Sequence, residues 1–215
     1  MEKISLFKGM TRGEQEVLVT CLDAWNRLYE KNKILTAGDL EDGIIGIVVR
    51  GSIIIYNEDF WGNRNIIARC GEGEIFGEAF AGAGKSLEMD ICTAALTEIM
   101  YIKYENIIRP CEKYCDVHKL LIKNLLNIIS NKNIYLTGKI KCLSKRNTRE
   151  KILSFLSEQA RINRKNEFEI AFDRQELADY LSVDRSAMSR ELSKLKAEHI
   201  LDYRKNKFRL FRINN

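Results

Sequence analysis

The feature that most constrains this chain is residues 172–199, FDRQELADYLSVDRSAMSRELSKLKAEH. Their spacing predicts two helices joined by a tight turn. Apolar side chains mark one face of the first helix at Leu177, Ala178 and Leu181. Asp184 suits the N-cap of the second helix, because its carboxylate can accept a free backbone N–H of the first turn. One buried face of that helix is predicted by the i, i+4, i+7 spacing of Met188, Leu192 and Leu195.

The other face of the second helix is short, basic and rich in hydroxyl groups. It carries Arg185, Ser186, Ser189, Arg190, Ser193 and Lys194. A helix-turn-helix inserts such a face into the major groove of DNA, where an arginine can bind guanine O6 and N7 together. The alternative is an ordinary amphipathic helix with a solvated polar face. The short turn, the preceding helix and the basic tail favour DNA recognition.

The charge of the chain is unevenly distributed, although its net value is only +5. Residues 139–215 hold 19 Lys and Arg against 11 Asp and Glu, whereas residues 1–138 hold 16 against 19. A basic C-terminal third on a mildly acidic body indicates a nucleic-acid-binding module joined to a second module.

The length of 215 residues and the hydrophobic content of 45% are sufficient for a buried core, and the sequence favours a cytoplasmic protein. No apolar run approaches the ~18 residues of a membrane span, and the first residues lack a signal-peptide pattern. The six cysteines form no C-x-x-C pair, so we expect most of them to be small core residues of a protein in a reducing compartment.

The region from residue 31 to residue 104 has the pattern of short strands and turns. Residues 44–49 and 53–56 are β-branched runs separated by Arg50-Gly51-Ser52, which predicts a hairpin. Further strands are predicted at residues 32–34, 65–70, 91–95 and 99–103. Many short strands indicate a sandwich or jelly-roll barrel. A helical lead-in is expected before them, with one face formed by Leu18, Cys21, Leu22 and Trp25.

One long helix is predicted from Pro110 to about Gly138, and it is apolar on more than one face. Such a helix packs on its own domain and on a second partner, for which another copy of the chain is the simplest candidate. Two seams are possible. One runs through Leu121, Ile128 and Tyr135, and the other runs through Leu125 and Lys132.

The rest of the chain completes a winged DNA-binding module. A helix is expected at residues 149–160 after a basic hinge, then a small hairpin at 163–170. Strands at 200–201 and 208–211 would form a wing with a basic tip. The predicted domains are a sensing barrel at 1–108, a dimerisation helix at 109–140 and a winged helix-turn-helix at 141–215.

This order of elements resembles the family of the cyclic-AMP receptor protein and the fumarate–nitrate reduction regulator (Crp/Fnr). The most specific match is residues 173–181 followed by 185–190, which are similar to the family's first and recognition helices. The resemblance implies that Arg185, Ser186, Ser189 and Arg190 read bases and that Arg174 contacts a phosphate. The family usually has a glutamate in place of Ser186, so a different operator is implied. Backbone contacts are assigned to Arg174, Gln175, Lys194, Lys205 and Lys207.

Residues 73–78 resemble the start of the family's phosphate-binding cassette, with Glu78 at the position of the ribose-binding glutamate. Cyclic-nucleotide binders have an Arg-Ser pair about ten residues later, where this chain has Glu88 and Met89. A carboxylate there would repel a phosphate. We therefore expect an effector other than cyclic AMP. The candidate effector site comprises Gly77, Glu78, Ala79, Glu88 and Met89.

A second candidate site lies at the start of the long helix. Cys111, Cys115 and His118 share one helical face and could bind a metal or respond to oxidation, with Cys70, Cys92 or Cys142 as a further ligand. The alternative, which we favour, is that they are core residues, because zinc and iron–sulfur sites have tighter cysteine spacing. No cofactor is required by the sequence.

The sequence thus predicts an α+β protein with a cyclic-nucleotide-binding-like jelly-roll barrel, a long helix and a winged helix-turn-helix. Its expected function is that of a homodimeric transcription regulator on an inverted-repeat operator, and no catalytic motif indicates an enzyme. Expected partners are double-stranded DNA, a second copy, a small-molecule effector and, for an activator, RNA polymerase. The alternatives are a metal- or haem-dependent redox sensor of the same build, or a cyclic-nucleotide-binding module.

Overall fold

The computed structural model describes residues 3–35, 42–109 and 116–211, which form two compact units, Met1–Ile134 and Tyr135–Asn215. The first unit combines short helices with two antiparallel sheets. Its helices are a 3-10 turn at Ser5–Phe7, α1 (Arg12–Cys21), α2 (Glu78–Ala83) and α3 (Tyr104–Ile108). Its strands are β1 (Trp25–Tyr29), β2 (Ile34–Leu35), β3 (Ile44–Arg50), β4 (Ile53–Glu58), β5 (Arg64–Cys70), β6 (Ile75–Phe76), β7 (Asp90–Thr93) and β8 (Thr97–Lys103).

Helix α1 is shorter than the predicted lead-in helix. It begins with a capping box, in which the Thr11 hydroxyl accepts from the Glu14 backbone amide and the Glu14 carboxylate accepts from the Thr11 amide. It ends at Cys21, and Asp23 has a φ of 48°, which a helix cannot contain. The prediction that Trp25 shares this helix was wrong, since Trp25 begins β1 and pairs with Tyr101.

The strands form two four-stranded sheets with the orders β1-β8-β3-β6 and β2-β7-β4-β5. The predicted hairpin of residues 44–49 and 53–56 was therefore wrong, because β3 and β4 belong to different sheets. Gly51 lies where the chain passes from β3 in one sheet to β4 in the other, and its φ is 88°. A Cβ at this position would lie 2.5 Å from the Leu96 carbonyl oxygen. A glycine is needed where the chain passes this close to the other backbone.

Strand β3 is apolar from Ile44 to Val49, where side chains on both of its faces pack in a core. Ile44 and Val48 pack in the core between the sheets, while Ile45 and Ile47 pack in a second core with the helices. Strand β8 repeats this alternation, with Ile99 and Tyr101 in the first core and Met100 and Ile102 in the second.

A 28-residue helix, α4 (Asp116–Leu143), runs from the first unit into the second. Its predicted start at Pro110 lies outside the described residues, and its end is five residues beyond the predicted Gly138. Three residues of the two predicted seams are taken up by the first unit, since Leu121 and Leu125 are buried in its core and Ile128 packs against it. In the described ranges no helix, this one included, is long and apolar enough to cross a membrane.

The second unit contains α5 (Thr148–Asn163), α6 (Arg174–Leu181) and α7 (Arg185–Ala197), with β9 (Glu167–Glu169), β10 (Leu201–Arg204) and β11 (Lys207–Leu210). The predicted wing is confirmed as the β10–β11 hairpin. The hairpin predicted at residues 163–170 was wrong. Helix α5 extends to Asn163, and β9 is a single strand that pairs with β11.

An aromatic cluster joins α5 and α6 in this unit. The ring centroids of Phe172 and Tyr180 are 4.8 Å apart, and those of Phe155 and Tyr180 are 5.4 Å apart. The buried ammonium of Lys139, near the end of α4, lies 4.3 Å from the Tyr180 ring centroid. Burial lowers the pKa of Lys139 to about 8.

Candidate nucleic-acid interface

Both helices of the predicted helix-turn-helix begin at an aspartate cap, of which Asp184 was predicted from the sequence and Asp173 was not. Asp173 opens α6 with a capping box, in which its carboxylate accepts from the Glu176 amide at 2.8 Å and its own amide donates to the Glu176 carboxylate at 2.8 Å. Ser182, with a φ of 50°, ends α6. Asp184 then caps α7 by accepting from the Ala187 amide at 2.7 Å.

Helix α7 is divided into a buried and an exposed face, as the sequence predicted. Met188, Leu192 and Leu195 are all fully buried. The exposed face contains Arg185, Ser186, Ser189, Arg190, Ser193 and Lys194. Burial of the apolar face fixes the helix on its own unit and leaves the basic face accessible.

Arg185 and Arg190 have no hydrogen-bond or ion-pair partner among the described residues, and both are exposed. Long cationic side chains without an internal partner are available to an external anion or acceptor. Ser186 differs from them, because its hydroxyl donates to the Asp184 carboxylate at 2.6 Å. Bonds from the Ser186 hydroxyl and the Ala187 amide lower the pKa of Asp184.

Arg174, the first residue of α6, lies against two neighbouring aromatic rings of the wing. Its guanidinium carbon lies 4.8 Å from the Tyr203 ring centroid and 5.0 Å from that of Phe208. Its Nη2 atom is buried without a hydrogen-bond partner in the described part of the chain, and burial lowers the pKa of this residue. The sequence analysis missed both aromatic neighbours, although Tyr203 and Phe208 lie in the predicted wing.

The remaining predicted backbone contacts are exposed but partly engaged. Gln175 donates to Asp179 at 2.7 Å, Lys194 lies 3.7 Å from Glu191, and Lys207 lies 3.8 Å from Glu169. Lys205 lies at the tip of the wing with a φ of 53°. Exposed ion pairs of this kind are worth about 0–1 kcal/mol, so they do not prevent these lysines from binding a phosphate.

The predicted effector residues are only partly brought together. Gly77, with a φ of 81°, caps α2 and lines a pocket with Phe80, Ala81 and Lys85. Ala79 and Glu88 are exposed, and Met89 packs against the core between the sheets.

Glu78, the first residue of α2, is buried and already has a partner. Its carboxylate lies 2.9 Å from the ammonium of Lys132 on α4, an ion pair that the sequence analysis missed.

The predicted metal site falls partly outside the described residues, which exclude Cys111 and Cys115. His118 is buried, and its Nε2 donates to the Ile107 carbonyl oxygen at 2.6 Å. Burial raises the pKa of Cys70 to about 12, and it also raises the pKa of Cys142. Residues 3–35, 42–109 and 116–211 contain no cluster of three histidine, cysteine or acidic side chains that could hold a metal.

Comparison with known proteins agrees with this geometry. A family model described as a Crp-like helix-turn-helix domain matches residues 150–215. No curated protein sequence matches the chain.

Solved structures match nearly the whole chain. A CooA mutant from Carboxydothermus hydrogenoformans has 18% identity and a TM-score of 0.73, over 89% of this chain and 85% of CooA. The c-di-GMP-responsive global regulator CLP from Xanthomonas campestris has 19% identity and a TM-score of 0.70, over 94% of this chain and 100% of CLP.

A third match is a Crp/Fnr-family regulator from Eubacterium rectale, with 14% identity and a TM-score of 0.62, over 99% of this chain and 95% of that one. At these identities the matches show the fold. Residues 150–215 are therefore a Crp-like helix-turn-helix domain, in a chain that has the fold of the Crp/Fnr transcription regulators.

Proposed function

We propose that this chain is a sequence-specific, DNA-binding transcription regulator that acts as a homodimer in the cytoplasm. The observation that carries this proposal is the pair Arg185 and Arg190 at the beginning of α7. Both are exposed, neither has a hydrogen bond or ion pair with a described residue, and the other face of the helix is fully buried. In a helix-turn-helix, this end of the second helix meets base edges in the major groove. Ser186 and Ser189 lie on the same exposed face and would assist.

The DNA backbone would be bound by cations around this helix. Arg174 supports this role, because the Tyr203 and Phe208 rings of the wing hold its guanidinium in place at the start of α6. Gln175, Lys194, Lys205 and Lys207 would add contacts without sequence preference.

The dimer would form along a largely exposed stripe of α4, which is apolar except for Asn133, rather than along the two seams predicted from the sequence. This stripe consists of Ile122, Leu126, Ile129, Asn133, Leu136 and Ile140, spaced alternately by four and three residues. Leu126 is 60% exposed and Ile140 is 65% exposed, so both apolar side chains face solvent in the single chain. Alternating spacing of this kind is the heptad pattern of a coiled coil.

In that register Leu126, Asn133 and Ile140 occupy the a positions. A single Asn among apolar a residues specifies the register and favours a pair of helices, at some cost in stability. Asn133 would therefore determine how the two copies align.

The dimer seam can be tested by sedimentation of variants of the full chain. Ile129→Glu places a charge in the seam and should raise the dimer dissociation constant at least tenfold. Ile134→Glu is the matched control, because Ile134 is 68% exposed and lies outside the stripe. Equal dimerisation of the two variants would exclude this seam.

The effector would be a small molecule other than a cyclic nucleotide, bound near α2. Glu78 is committed to Lys132, and no arginine follows at the position that binds the cyclic phosphate in the family. Solved proteins of this fold differ in their ligands, since CLP is c-di-GMP-responsive and the structure of CprK is a complex with OCPA. An activator of this kind would also contact RNA polymerase.

DNA binding itself can be tested by titrating a labelled duplex with the protein between 50 and 200 mM salt. Log affinity should fall linearly with log salt, as counterions are released from the phosphates. Arg12→Ala, an exposed arginine of the first unit, should bind as the wild type does. Absence of binding at the lowest salt would refute the proposal and favour a ligand-binding module without a DNA function.

A further inference from the structure

We propose that the Lys132–Glu78 ion pair couples α2, which lines the pocket, to α4, the helix of the proposed dimer, so that the two helices move together. The contact is built from two elements distant in sequence. Glu78 begins α2, and Lys132 lies in the middle of α4, 54 residues later. The Lys132 ammonium donates to the Glu78 carboxylate at 2.9 Å and to the Ile75 carbonyl oxygen of β6 at 2.6 Å.

The ion pair is shielded from solvent, so its loss would affect the conformation of the first unit. The Glu78 side chain is 7% exposed and that of Lys132 is 33% exposed. A carboxylate this deeply buried is costly without its partner, so the contact is held firmly or replaced by another partner rather than lost gradually. This makes the pair different from the exposed Lys119–Asp116 ion pair on the same helix.

One end of the pair belongs to the pocket. Glu78 lies between Gly77 and the pocket residues Phe80 and Ala81, all within the first turn of α2 or its cap. Because α2 is only six residues long, a ligand that displaces Phe80 or Ala81 also displaces Glu78. The Glu78 carboxylate therefore moves together with the pocket residues Phe80 and Ala81.

The other end belongs to the helix that carries the proposed seam. Lys132 lies three residues after Ile129 and four residues before Leu136, so all three are neighbours on the helix surface. If a movement of Lys132 rotates or shifts α4, the seam residues Ile129 and Leu136 therefore move as well. This inference rests on the proposed homodimer, and it assigns Lys132 and Glu78 a positioning role.

The test compares Glu78→Gln and Lys132→Met in the full-length protein with Lys119→Met as the matched control. Glu78→Gln should speed amide hydrogen exchange in residues 129–136 of α4 at least tenfold, although the substitution lies on α2. Lys132→Met should do the same for α2. Both should change the dimer dissociation constant at least tenfold, and Lys119→Met should change neither quantity.

Charge reversal provides the second arm. The double variant Glu78→Lys with Lys132→Glu should recover part of the exchange protection that each single reversal loses. If Glu78→Gln does not fold, Glu78→Asp, which withdraws the carboxylate by one methylene, gives the same comparison. Exchange in α4 within twofold of the wild type would overturn the proposal. Amide hydrogen exchange can be measured in a monomer as well as in a dimer. A protein that does not dimerise would therefore refute the proposed homodimer, whereas the exchange rates of α2 and α4 would still test the coupling.

Discussion

Lys132 of the first unit and Arg190 of the second are both long cations on helices, but their surroundings differ. Lys132 is bound internally by a buried carboxylate and a carbonyl oxygen. Arg190 is exposed and has no hydrogen-bond or ion-pair partner in the described part of the chain. An internally satisfied cation fixes one element to another, whereas an unsatisfied one is available to a partner outside. Under the proposed function, the Lys132 charge holds two elements of the first unit together, whereas the Arg190 charge of the second unit would bind DNA.

The largest expected effect concerns the buried face of α7. Leu192→Ala should lower the free energy of unfolding of the second unit by about 2–5 kcal/mol, because a fully buried side chain leaves a cavity. Ser193→Ala, next to it on the exposed face, should change stability by less than about 0.5 kcal/mol. Urea unfolding measures both. Equal effects would contradict the division of α7 into two faces.

The next effect concerns the exposed face. Arg190→Ala should weaken binding to a preferred DNA site by about 1–3 kcal/mol and relax the preference at one base pair. The mechanism is the loss of a two-point contact with a guanine edge. Affinities for a panel of single-base variants of the site measure this. An unchanged base preference would mean that Arg190 does not read sequence.

The third prediction concerns Lys139, a buried cation of the second unit, whose ionisation should make the stability of the protein depend on pH. Its pKa is about 8 in the folded chain and 10.5 without burial, so the unfolded state binds more protons between these values. The free energy of unfolding should therefore rise with pH above 8, by about 1 kcal/mol per pH unit. Urea unfolding at pH 7.5 and 9 tests this.

Lys139→Met provides the control for that measurement. It should remove the rise and stabilise the protein at pH 7.5, since no buried ammonium remains to be desolvated. A rise that persists in this variant would have to come from another group. Ionisation of Cys142 or Tyr180 has the opposite sign, because burial raises the pKa of both.

The smallest effect concerns the wing. Lys207→Ala should weaken binding to all DNA sequences about equally and reduce the salt slope by about 1, because its proposed contact is a phosphate. Titrations of a preferred and a scrambled duplex at two salt concentrations measure both quantities. A loss confined to the preferred duplex would instead assign Lys207 to base reading.

The second unit was largely predictable from the sequence because its signals are local. Asp173 and Asp184 cap the helices that follow them, and the apolar spacing of α7 matches its buried face. The wing hairpin is also a short-range structure. The aromatic enclosure of Arg174 was missed, because it depends on residues about thirty positions away.

The first unit was predictable as a class but not in its pairing. Residues 44–56 have the local pattern of a hairpin, yet the two strands join different sheets, because each strand pairs with a partner more than 30 residues away in the sequence, β3 with β8 and β4 with β7. The two apolar faces of α4 posed a similar problem. Periodicity identifies both faces, but only the fold shows that Leu121 and Leu125 meet the barrel. The Lys132–Glu78 pair likewise has no local signature.

The most direct test of the account is selection of binding sites from a random DNA pool by the wild type and by the Arg185→Ala/Arg190→Ala double variant. The wild type should enrich an inverted repeat whose half-site centres lie about 10 base pairs apart, or a multiple of that spacing. The double variant should lose this enrichment while keeping salt-dependent binding to any sequence. Enrichment of the same repeat by both proteins, or of no sequence by the wild type, would contradict the account.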